Sequence, residues 1–385
     1  MTAKILVVDD EPDLEELVKQ KFRRQIRDKE FEFCFAQNGI EALQQLNDDS
    51  SIDLVLTDIN MPEMDGLTLL TKIQELQNPL LRSVIVSAYG DMENIRTAMN
   101  RGAYDFVLKP IDLGDLEITI YKSLDDLFKL KEAMQSRDQF LALQHELDIA
   151  RTIQMSLLPK RFPAFPERKE FDIYADMIPA KEVGGDFYDF FLIDQNHLGF
   201  AIGDVSGKGV PAALFMAVSK TVLKTTALKG LPPEECLQQV NRMLHLESVA
   251  SMFVTVFYGI LDLTSGEVIY CNGGHLPPFK IGKDGTVSAI ETTGNLALGV
   301  MANTVYNTKT FRLLPGEGLF LYSDGITEAM DAHSLEYGEE RLLNSLRQPM
   351  TNARDVTQTV INDVKNFSAG LAQSDDMTVL AIYYR

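Results

Sequence analysis

The sequence predicts an α/β domain with a doubly wound, five-stranded parallel sheet, joined through a helical linker to an α+β domain with an antiparallel β-sandwich flanked by helices. Strand-like and helix-like segments alternate over the first 110 residues, and a run without glycine or proline follows at residues 115–158. Strand-like segments separated by turn sequences fill the rest. A length of 385 residues is enough for two or three domains. We place their limits at residues 1–122, 123–160 and 161–385.

The first domain contains five β/α units. Amphipathic stretches with helical spacing lie at residues 14–24, 40–46 and 67–76, between short β-rich runs. Units of this size form a parallel sheet covered by helices on both faces, and its chemistry collects at the carboxyl ends of the strands. The β-rich runs are residues 4–8, 31–35, 54–57, 84–87 and 106–108.

The linker has the pattern of a long helical run. Apolar residues follow 3,4 spacing up to Met134 and again from Phe140, with Gln154 at a seam position. Because the two registers do not join smoothly near Arg137, the pattern favours a coiled coil or helical hairpin with a switchable contact, and a homodimer through this segment. A single amphipathic helix packed on a neighbouring domain is the alternative.

The second domain has the pattern of an antiparallel α+β fold. Helical stretches at residues 211–228 and 353–367 interrupt its strands, and turn sequences at residues 265–266 and 283–285 indicate hairpins. The strand-like segments are residues 171–176, 198–204, 253–261, 268–272, 318–322 and 377–383.

The composition restricts partners and compartment. Fifty-six acidic and 36 basic residues leave a formal charge of −20, which argues against nucleic acid or an anionic membrane as the main partner. Three widely spaced cysteines fit a reducing cytosol and neither a disulfide framework nor a zinc site. The N-terminus lacks a signal-peptide layout, and apolar runs such as residues 209–218 are too short to span a bilayer. We expect a cytoplasmic protein.

Five residues follow strand ends on the same edge of the predicted parallel sheet. Asp9 and Asp10 follow the first strand, and Asp58 follows the third. Crowded carboxylates repel one another unless a hard cation holds them, and all-oxygen ligation suits Mg²⁺. Lys109 brings an ammonium and Ser87 a hydroxyl, so the group is equipped to accept a phosphoryl group. Taken singly, each acidic residue could be a solvated turn residue or a helix N-cap.

Residues 1–122 resemble a response-regulator receiver domain. The motifs are VVDDEP, TDINMPEMDG, VSAYG and GAYDFVLKP. The resemblance implies that Asp58 is the phosphoacceptor, phosphorylated by a sensor histidine kinase. It further implies that Asp10 is the main side-chain ligand of Mg²⁺, with support from Asp9, from Asp58 and from the carbonyl of Asn60.

The same resemblance assigns the signalling positions. Ser87 and Phe106 occupy the switch positions, and Lys109 contacts the phosphoryl group. Phe106 has no hydroxyl, so its switching would rest on ring burial alone. Receivers usually precede an output domain, and no basic recognition helix for DNA follows position 122.

A second set of acidic residues lies beside glycines or at strand ends. These are Asp186, Asp204, Asp324 and the pair Asp375–Asp376. Glycine beside an aspartate permits close backbone approach, and a set without histidine or cysteine favours Mg²⁺ or Mn²⁺ over zinc. This many carboxylates need two divalent ions, which could activate a shared water for attack on phosphorus. Each Asp-Gly alone is more often a turn.

Two further motifs are weaker. Gly207-x-Gly209-x-x-Ala212 resembles a dinucleotide fingerprint, but the surrounding domain lacks repeated β/α units and Pro211 suits a first helical turn. His275 follows a glycine pair and could be catalytic. Because the sequence shows no evident serine or cysteine nucleophile for this histidine to activate, a structural loop role is favoured.

Residues 168–385 resemble the PPM family of metal-dependent serine/threonine phosphatases, in the bacterial branch of the stage II sporulation E phosphatase and the regulators of stress sigma factors. The motifs are PAKEVGGDFYDFF, IGDVSGKGVPAALFMA, NGGHLPP, LYSDGITEAMD and QSDDMTVLAI. The preceding ELDIARTIQMSLLP is also typical of this branch, where the helix is thought to govern activity.

This resemblance implies a ligand set for two Mn²⁺ or Mg²⁺ ions. Asp204 would bridge both ions, and Asp376 is a less favoured ligand than its neighbour. Lys181 lies where eukaryotic relatives place a phosphate-binding arginine, and it would bind phosphate as a point charge. The implied ligands are Asp186, Asp204, the carbonyl of Val205, Asp324 and Asp375.

Together the two resemblances predict a two-component response regulator with phosphatase output. Its substrate would be phosphoserine or phosphothreonine on a protein, an anti-sigma-factor antagonist by resemblance. The competing hypothesis is a non-enzymatic adaptor with a degenerate phosphatase fold, although all four aspartate positions are filled. Charge disfavours a DNA-binding regulator.

Overall fold

The computed structural model describes residues 2–88, 91–247, 252–348 and 350–385. The chain divides into a compact unit that ends at Leu143 and a second that begins at Gln144. No helix in the described ranges is both long and apolar enough to cross a membrane.

The first unit has a five-stranded parallel sheet with the order β2-β1-β3-β4-β5. The predicted α/β class and all five predicted strands are confirmed. The strands are β1 (Ala3–Val8), β2 (Phe31–Ala36), β3 (Leu54–Asp58), β4 (Arg82–Ala88) and β5 (Asp105–Lys109). The helices are α1 (Asp13–Lys21), α2 (Arg23–Arg27), α3 (Gly39–Asp48), α4 (Gly66–Glu75), α5 (Met92–Asn100) and α6 (Leu113–Leu157).

Helices cover both faces of this sheet. Side-chain caps begin two of them: Asn38 accepts hydrogen bonds at the start of α3, and Asp65 does so at the start of α4. On one face, α1 and α6 bury Leu14, Val18, Leu116, Ile120, Leu124 and Leu127. On the other face, α3 and α4 bury Ala42, Leu46, Leu69 and Ile73. Because all five strands are parallel, their carboxyl ends share one edge of the sheet.

The second unit is built on two five-stranded antiparallel sheets. The orders are β13-β10-β9-β8-β7 and β12-β11-β14-β15-β6. The strands are β6 (Phe171–Ile178), β7 (Phe187–Leu192), β8 (His197–Val205), β9 (Val254–Asp262), β10 (Glu267–Gly273), β11 (Phe279–Ile281), β12 (Val287–Ala289), β13 (Lys309–Arg312), β14 (Gly318–Tyr322) and β15 (Met377–Tyr384). The helices are α7 (Val210–Ala227), α8 (Pro233–Glu247), α9 (Asp324–Thr327), α10 (Gly338–Leu346) and α11 (Ala353–Ser368).

The two sheets form a sandwich with a shared core. Phe200 and Phe257 of one sheet and Leu321 and Leu380 of the other belong to the same buried cluster. A second buried cluster joins β14 and β15 to α10 and α11. The antiparallel sandwich flanked by helices is therefore confirmed. The acidic motifs lie on the pair β7–β8, at one edge of the first sheet, and on the interior pair β14–β15 of the second sheet.

Candidate functional site

The first acidic pocket lies at the carboxyl edge of the parallel sheet. Ligand oxygens of Asp9, Asp10 and Asp58 all lie within 4.8 Å of one another. The Lys109 ammonium is 3.1 Å from Oδ2 of Asp9 and 3.2 Å from Oδ2 of Asp58. The structure thus brings together four of the residues that strand order predicts here, and three converging carboxylates fit a hard divalent ion.

Electrostatics at this pocket follow from burial and from the lysine. Burial raises the pKa of the Asp58 carboxyl, Asp9 adds to the rise, and Lys109 opposes it. Burial alone would lower the pKa of Lys109, but the carboxylates of Asp58 and Asp9 raise it on balance. The ammonium therefore stays charged beside the carboxylate that would accept a phosphoryl group.

Three further receiver positions were predicted from the sequence, at Ser87, Phe106 and Asn60. The buried Ser87 hydroxyl has no hydrogen-bond partner among the described residues, so it is free for a ligand. Phe106 lies on β5 with its side chain exposed. Asn60 is exposed just after β3. Tyr89 and Gly90 of the VSAYG motif lie outside the described residues.

The second acidic pocket draws one aspartate from each of four chain segments. Asp186 directly precedes β7, and Asp204 lies near the end of β8. Asp324 begins α9 after β14, and Asp375 precedes β15. The pairing of β7 with β8 and of β14 with β15 accounts for one pair of aspartates in each sheet. The charges of Asp324 and Asp375 act on the carboxyl of Asp204, so the segments from the two sheets come together in one pocket.

Mutual repulsion and burial raise the pKa values of these carboxyls. Burial raises the pKa of Asp186 well above its ordinary range, and the charges of Asp204 and Asp376 add to the rise. Burial, and next the charge of Asp324, raise the pKa of Asp204 to about 7. The pKa of Asp324 is also raised, by burial and then by Asp375. Carboxyls held in this way favour binding of cations.

The donor set fits divalent ions. Oδ2 of Asp186 is buried and has no hydrogen-bond partner in the described part of the chain. A Cβ on Gly185 would lie 3.0 Å from the carbonyl oxygen of Val205, so the backbone brings that oxygen close to Asp186. Among described residues, only the first pocket has three acidic groups within 4.8 Å of one another. A buried carboxylate oxygen without a partner and a nearby carbonyl oxygen are ligands that hard divalent ions take.

Asp376 holds the loop that carries the first ligand. Its carboxylate is buried and accepts hydrogen bonds from the backbone N–H groups of Ala180 at 2.8 Å, Gly185 at 2.6 Å and Asp186 at 3.3 Å. A Cβ on Gly325 would lie 2.1 Å from the carbonyl oxygen of Asp376, so only glycine fits there. These contacts give Asp376 a positioning role.

Lys208 is a site residue that sequence reasoning missed. Its ammonium lies 2.8 Å from Oδ2 of Asp375 and donates to the carbonyl of Ser374 at 2.8 Å. The sequence feature that could have indicated Lys208 is its position between two glycines, shortly after Asp204. Lys181, the predicted phosphate contact, is exposed and makes no side-chain hydrogen bond or ion pair with the described residues.

Gln154 connects helix α6 to the second pocket. Its side chain is buried, donates to the carbonyl of Gly184 at 2.6 Å and accepts from the N–H of the same residue at 3.0 Å. Gly184 lies two residues before Asp186. The position of the helix is therefore linked to the position of a predicted metal ligand by one amide.

His275 is buried and fully hydrogen-bonded. Nε2 donates to the carbonyl of Tyr322 at 3.1 Å, so Nδ1 accepts from the hydroxyl of Thr255 at 2.9 Å. Burial lowers the pKa of His275 to about 4. These contacts support the structural role that the sequence favoured.

In the Gly207–Gly209 loop, both glycines have positive φ, and the loop leads into α7.

Two protein families match the chain. The family described as response regulator receiver domain matches residues 5–121, and the family of stage II sporulation protein E matches residues 194–385. Protein IcfG of Synechocystis sp. is 30% identical over 62% of this chain and 41% of its own length. Phosphoserine phosphatase RsbU of Bacillus subtilis is 32% identical over 55% of this chain and 64% of its own. The chain thus spans less than two thirds of either relative.

A solved structure agrees with the fold of the second unit. The SiaA-PP2C domain of Pseudomonas aeruginosa superposes with a TM-score of 0.56 and 20% identity, covering 63% of this chain and 98% of that domain. At this identity the likeness shows the fold alone.

Proposed function

We propose that the chain is a metal-dependent protein serine/threonine phosphatase under receiver control, because residues 5–121 match the response regulator receiver family and residues 194–385 match the stage II sporulation protein E family. The observation that carries the proposal is the convergence of four aspartates from four chain segments, with the pKa of Asp204 raised to about 7. The relative named phosphoserine phosphatase supports the substrate class.

The chain's residues would act by positioning two Mn²⁺ or Mg²⁺ ions. When bound, the ions supply positive charge to the phosphoryl oxygens and lower the pKa of water. Asp376 fixes the loop of the first ligand, and Lys208 brings an ammonium to the cluster. His275 has both ring nitrogens engaged, so we assign it no proton transfer. The ligands would be Asp186, Asp204, the carbonyl of Val205, Asp324 and Asp375.

The receiver pocket would accept a phosphoryl group on Asp58 from a sensor histidine kinase. The free hydroxyl of Ser87 and the ammonium of Lys109 are available to contact the phosphoryl oxygens. Asp9, Asp10, Asp58 and the carbonyl of Asn60 would hold Mg²⁺.

Control would pass through helix α6. Residues of α6 belong to the core of the first unit, and Gln154 of the same helix pairs with Gly184 in the second. Phosphorylation at Asp58 would change the packing of the helix and so the placement of Asp186. The exposed apolar residues Phe140 and Leu143 support a homodimer through this helix. We retain the domain limits 1–122, 123–160 and 161–385.

The biological setting completes the proposal. The substrate would be an anti-sigma-factor antagonist phosphorylated on serine or threonine, in the cytoplasm. Its dephosphorylation would free a sigma factor.

The test is release of phosphate from a phosphoserine protein by the full chain with Mn²⁺, with and without beryllofluoride. We expect turnover that is absent in Asp204→Ala and that beryllofluoride changes in the wild type but not in Asp58→Asn. The sign of this change shows whether phosphorylation activates or represses. Bound Mn²⁺ without turnover on several phosphoproteins, in either state, would favour the adaptor instead.

A further inference from the structure

A groove of about 540 Å³ lies beside the second acidic pocket. Gly325, which directly follows Asp324, forms part of its wall, and Ser374, which directly precedes Asp375, forms another part. The groove is thus bounded by the two segments that carry these aspartates. A protein chain with its phosphoserine at the metal site would lie next to it.

The lining is apolar and its large side chains lack cover. Met330 is 43% exposed and Leu371 is 49% exposed, although both are large and apolar. Met377, at the start of β15, and Ala329 also line the groove and are buried. Covering such side chains would remove apolar area from water, which favours an apolar occupant.

The charge of the groove lining favours an occupant that carries negative charge. Lys365 lines the groove, and its ammonium forms no ion pair or hydrogen bond with the described residues. None of the described residues that line the groove is acidic. In a chain with a net charge of −20, a groove whose charge is a single lysine is complementary to an acidic segment.

Hydrogen bonds fix the groove before any ligand binds. The side-chain amide of Gln373 donates to the carbonyl of Ile178 at 2.7 Å and to that of Asp375 at 2.6 Å. Lys208 holds the carbonyl of Ser374 at 2.8 Å. A preformed surface loses little conformational freedom on binding, which suits a recognition site.

We propose that this groove binds an apolar side chain of the phosphoprotein substrate, close in sequence to the phosphoserine and next to an acidic residue that pairs with Lys365. The proposal rests on the proposed phosphatase function. It makes the groove a specificity site that is separate from the metal ligands.

The probes are synthetic phosphoserine peptides in which one leucine is moved through the four positions on either side of the phosphoserine, with an aspartate or a lysine beside it. The full chain with Mn²⁺ is assayed for kcat/KM. We expect one leucine position to raise kcat/KM about tenfold over serine at that position. The double variant Met330→Ser/Leu371→Ser should lose this preference. The matched control Val305→Ser/Leu314→Ser, which changes exposed apolar residues outside the groove lining, should retain it.

Charge reversal gives a second readout. Lys365→Glu should change the preference from aspartate to lysine beside the leucine. Equal kcat/KM for all leucine positions in the wild type, or a preference that survives the double variant, would overturn the inference.

A small phosphate ester distinguishes failure of the groove proposal from failure of the proposed phosphatase function. Hydrolysis of para-nitrophenyl phosphate that needs Asp204, without any peptide preference, removes the groove proposal and keeps the phosphatase. No Asp204-dependent hydrolysis of ester or peptides removes both.

Discussion

The ammonium of Lys131 lies 2.5 Å from Oδ1 of Asp53, whose Oδ2 accepts a hydrogen bond from the backbone N–H of Lys4. Asp53 is buried and precedes β3. The pair joins helix α6 to the amino end of the parallel sheet, opposite the edge that carries Asp58. Helix α6 is therefore attached to the receiver sheet beyond Leu127, the last buried apolar residue of this segment.

Replacing this lysine should destabilise the first unit. In Lys131→Met the Asp53 carboxylate stays buried with one backbone donor, so we expect the free energy of unfolding to fall by about 1–2 kcal/mol, a figure discounted because the lysine is partly exposed. Urea unfolding of the full chain measures it. Lys129→Met, which breaks an exposed pair with Asp125, is the control. Equal effects of the two variants would contradict a buried pair.

Replacing Gln154 should impair the second pocket without unfolding it. In Gln154→Met the N–H and C=O of Gly184 lose their partner, so the loop before Asp186 gains freedom. We expect kcat for a phosphoserine protein to fall about tenfold and Mn²⁺ affinity to fall with it. Steady-state kinetics and calorimetric titration with Mn²⁺ measure both. Gln144→Met, on an exposed part of the same helix, should match the wild type, and wild-type kinetics in Gln154→Met would disprove the link.

Neutralising Asp204 should stabilise the protein in the absence of divalent ions. Because burial and like charges raise the pKa of this carboxyl to about 7, its ionised form costs stability at pH 8. In EDTA we expect Asp204→Asn to be more stable by about 1–3 kcal/mol. Mn²⁺ should raise the melting temperature of the wild type but not of the variant.

Thermal unfolding with and without Mn²⁺ measures these effects. Glu340→Gln, at an exposed position on α10, should change neither value. An Asp204→Asn protein that is less stable than the wild type in EDTA would show that the carboxylate is held by compensating contacts.

We expect the buried, neutral imidazole of His275 to make the folded protein less stable in mild acid. Burial lowers its pKa to about 4, so the folded protein keeps the ring neutral while the unfolded chain takes up a proton near pH 6.5. The unfolded state then binds more protons, and stability falls as the pH falls from about 6.5 to about 4, by at most about 3 kcal/mol.

Urea unfolding in EDTA at pH 7, 6 and 5 tests this sign. His275→Gln should lack about 2 kcal/mol of the decline that the wild type shows by pH 5. The acidic residues contribute equally to both proteins, so the difference reports His275. Parallel declines in the two proteins would rule the histidine out.

Much of the first unit was predictable because its strands are short apolar runs with chemistry at their ends. The strand order of a parallel sheet then places Asp9, Asp10, Asp58 and Lys109 together. In the second unit, β7 was missed because five of its six residues are buried, so it shows no alternation. Strands β11 and β12 have three residues each, too few for a pattern.

The second pocket was only partly predictable. Three of its four aspartates stand out through an adjacent glycine, and Asp375 stands out only through its position before a strand. The pairing of Lys208 with Asp375 joins residues 167 positions apart, which no local pattern reveals. The buried contact of Gln154 with Gly184 is also tertiary. The spacing of apolar residues along α6 placed Gln154 on the predicted helix seam, but it could not show which residue its side chain contacts.

The amide pairing of Gln154 has a thermodynamic consequence for the receiver. If the position of α6 changes the affinity of the second pocket for divalent ions, linkage requires that ion binding change the equilibrium of α6 by the same free energy. Metal occupancy would then alter the equilibrium between phosphorylated and unphosphorylated Asp58. The chain would then report the supply of divalent ions back to the proposed kinase, and the metal would be an input to signalling as well as a cofactor.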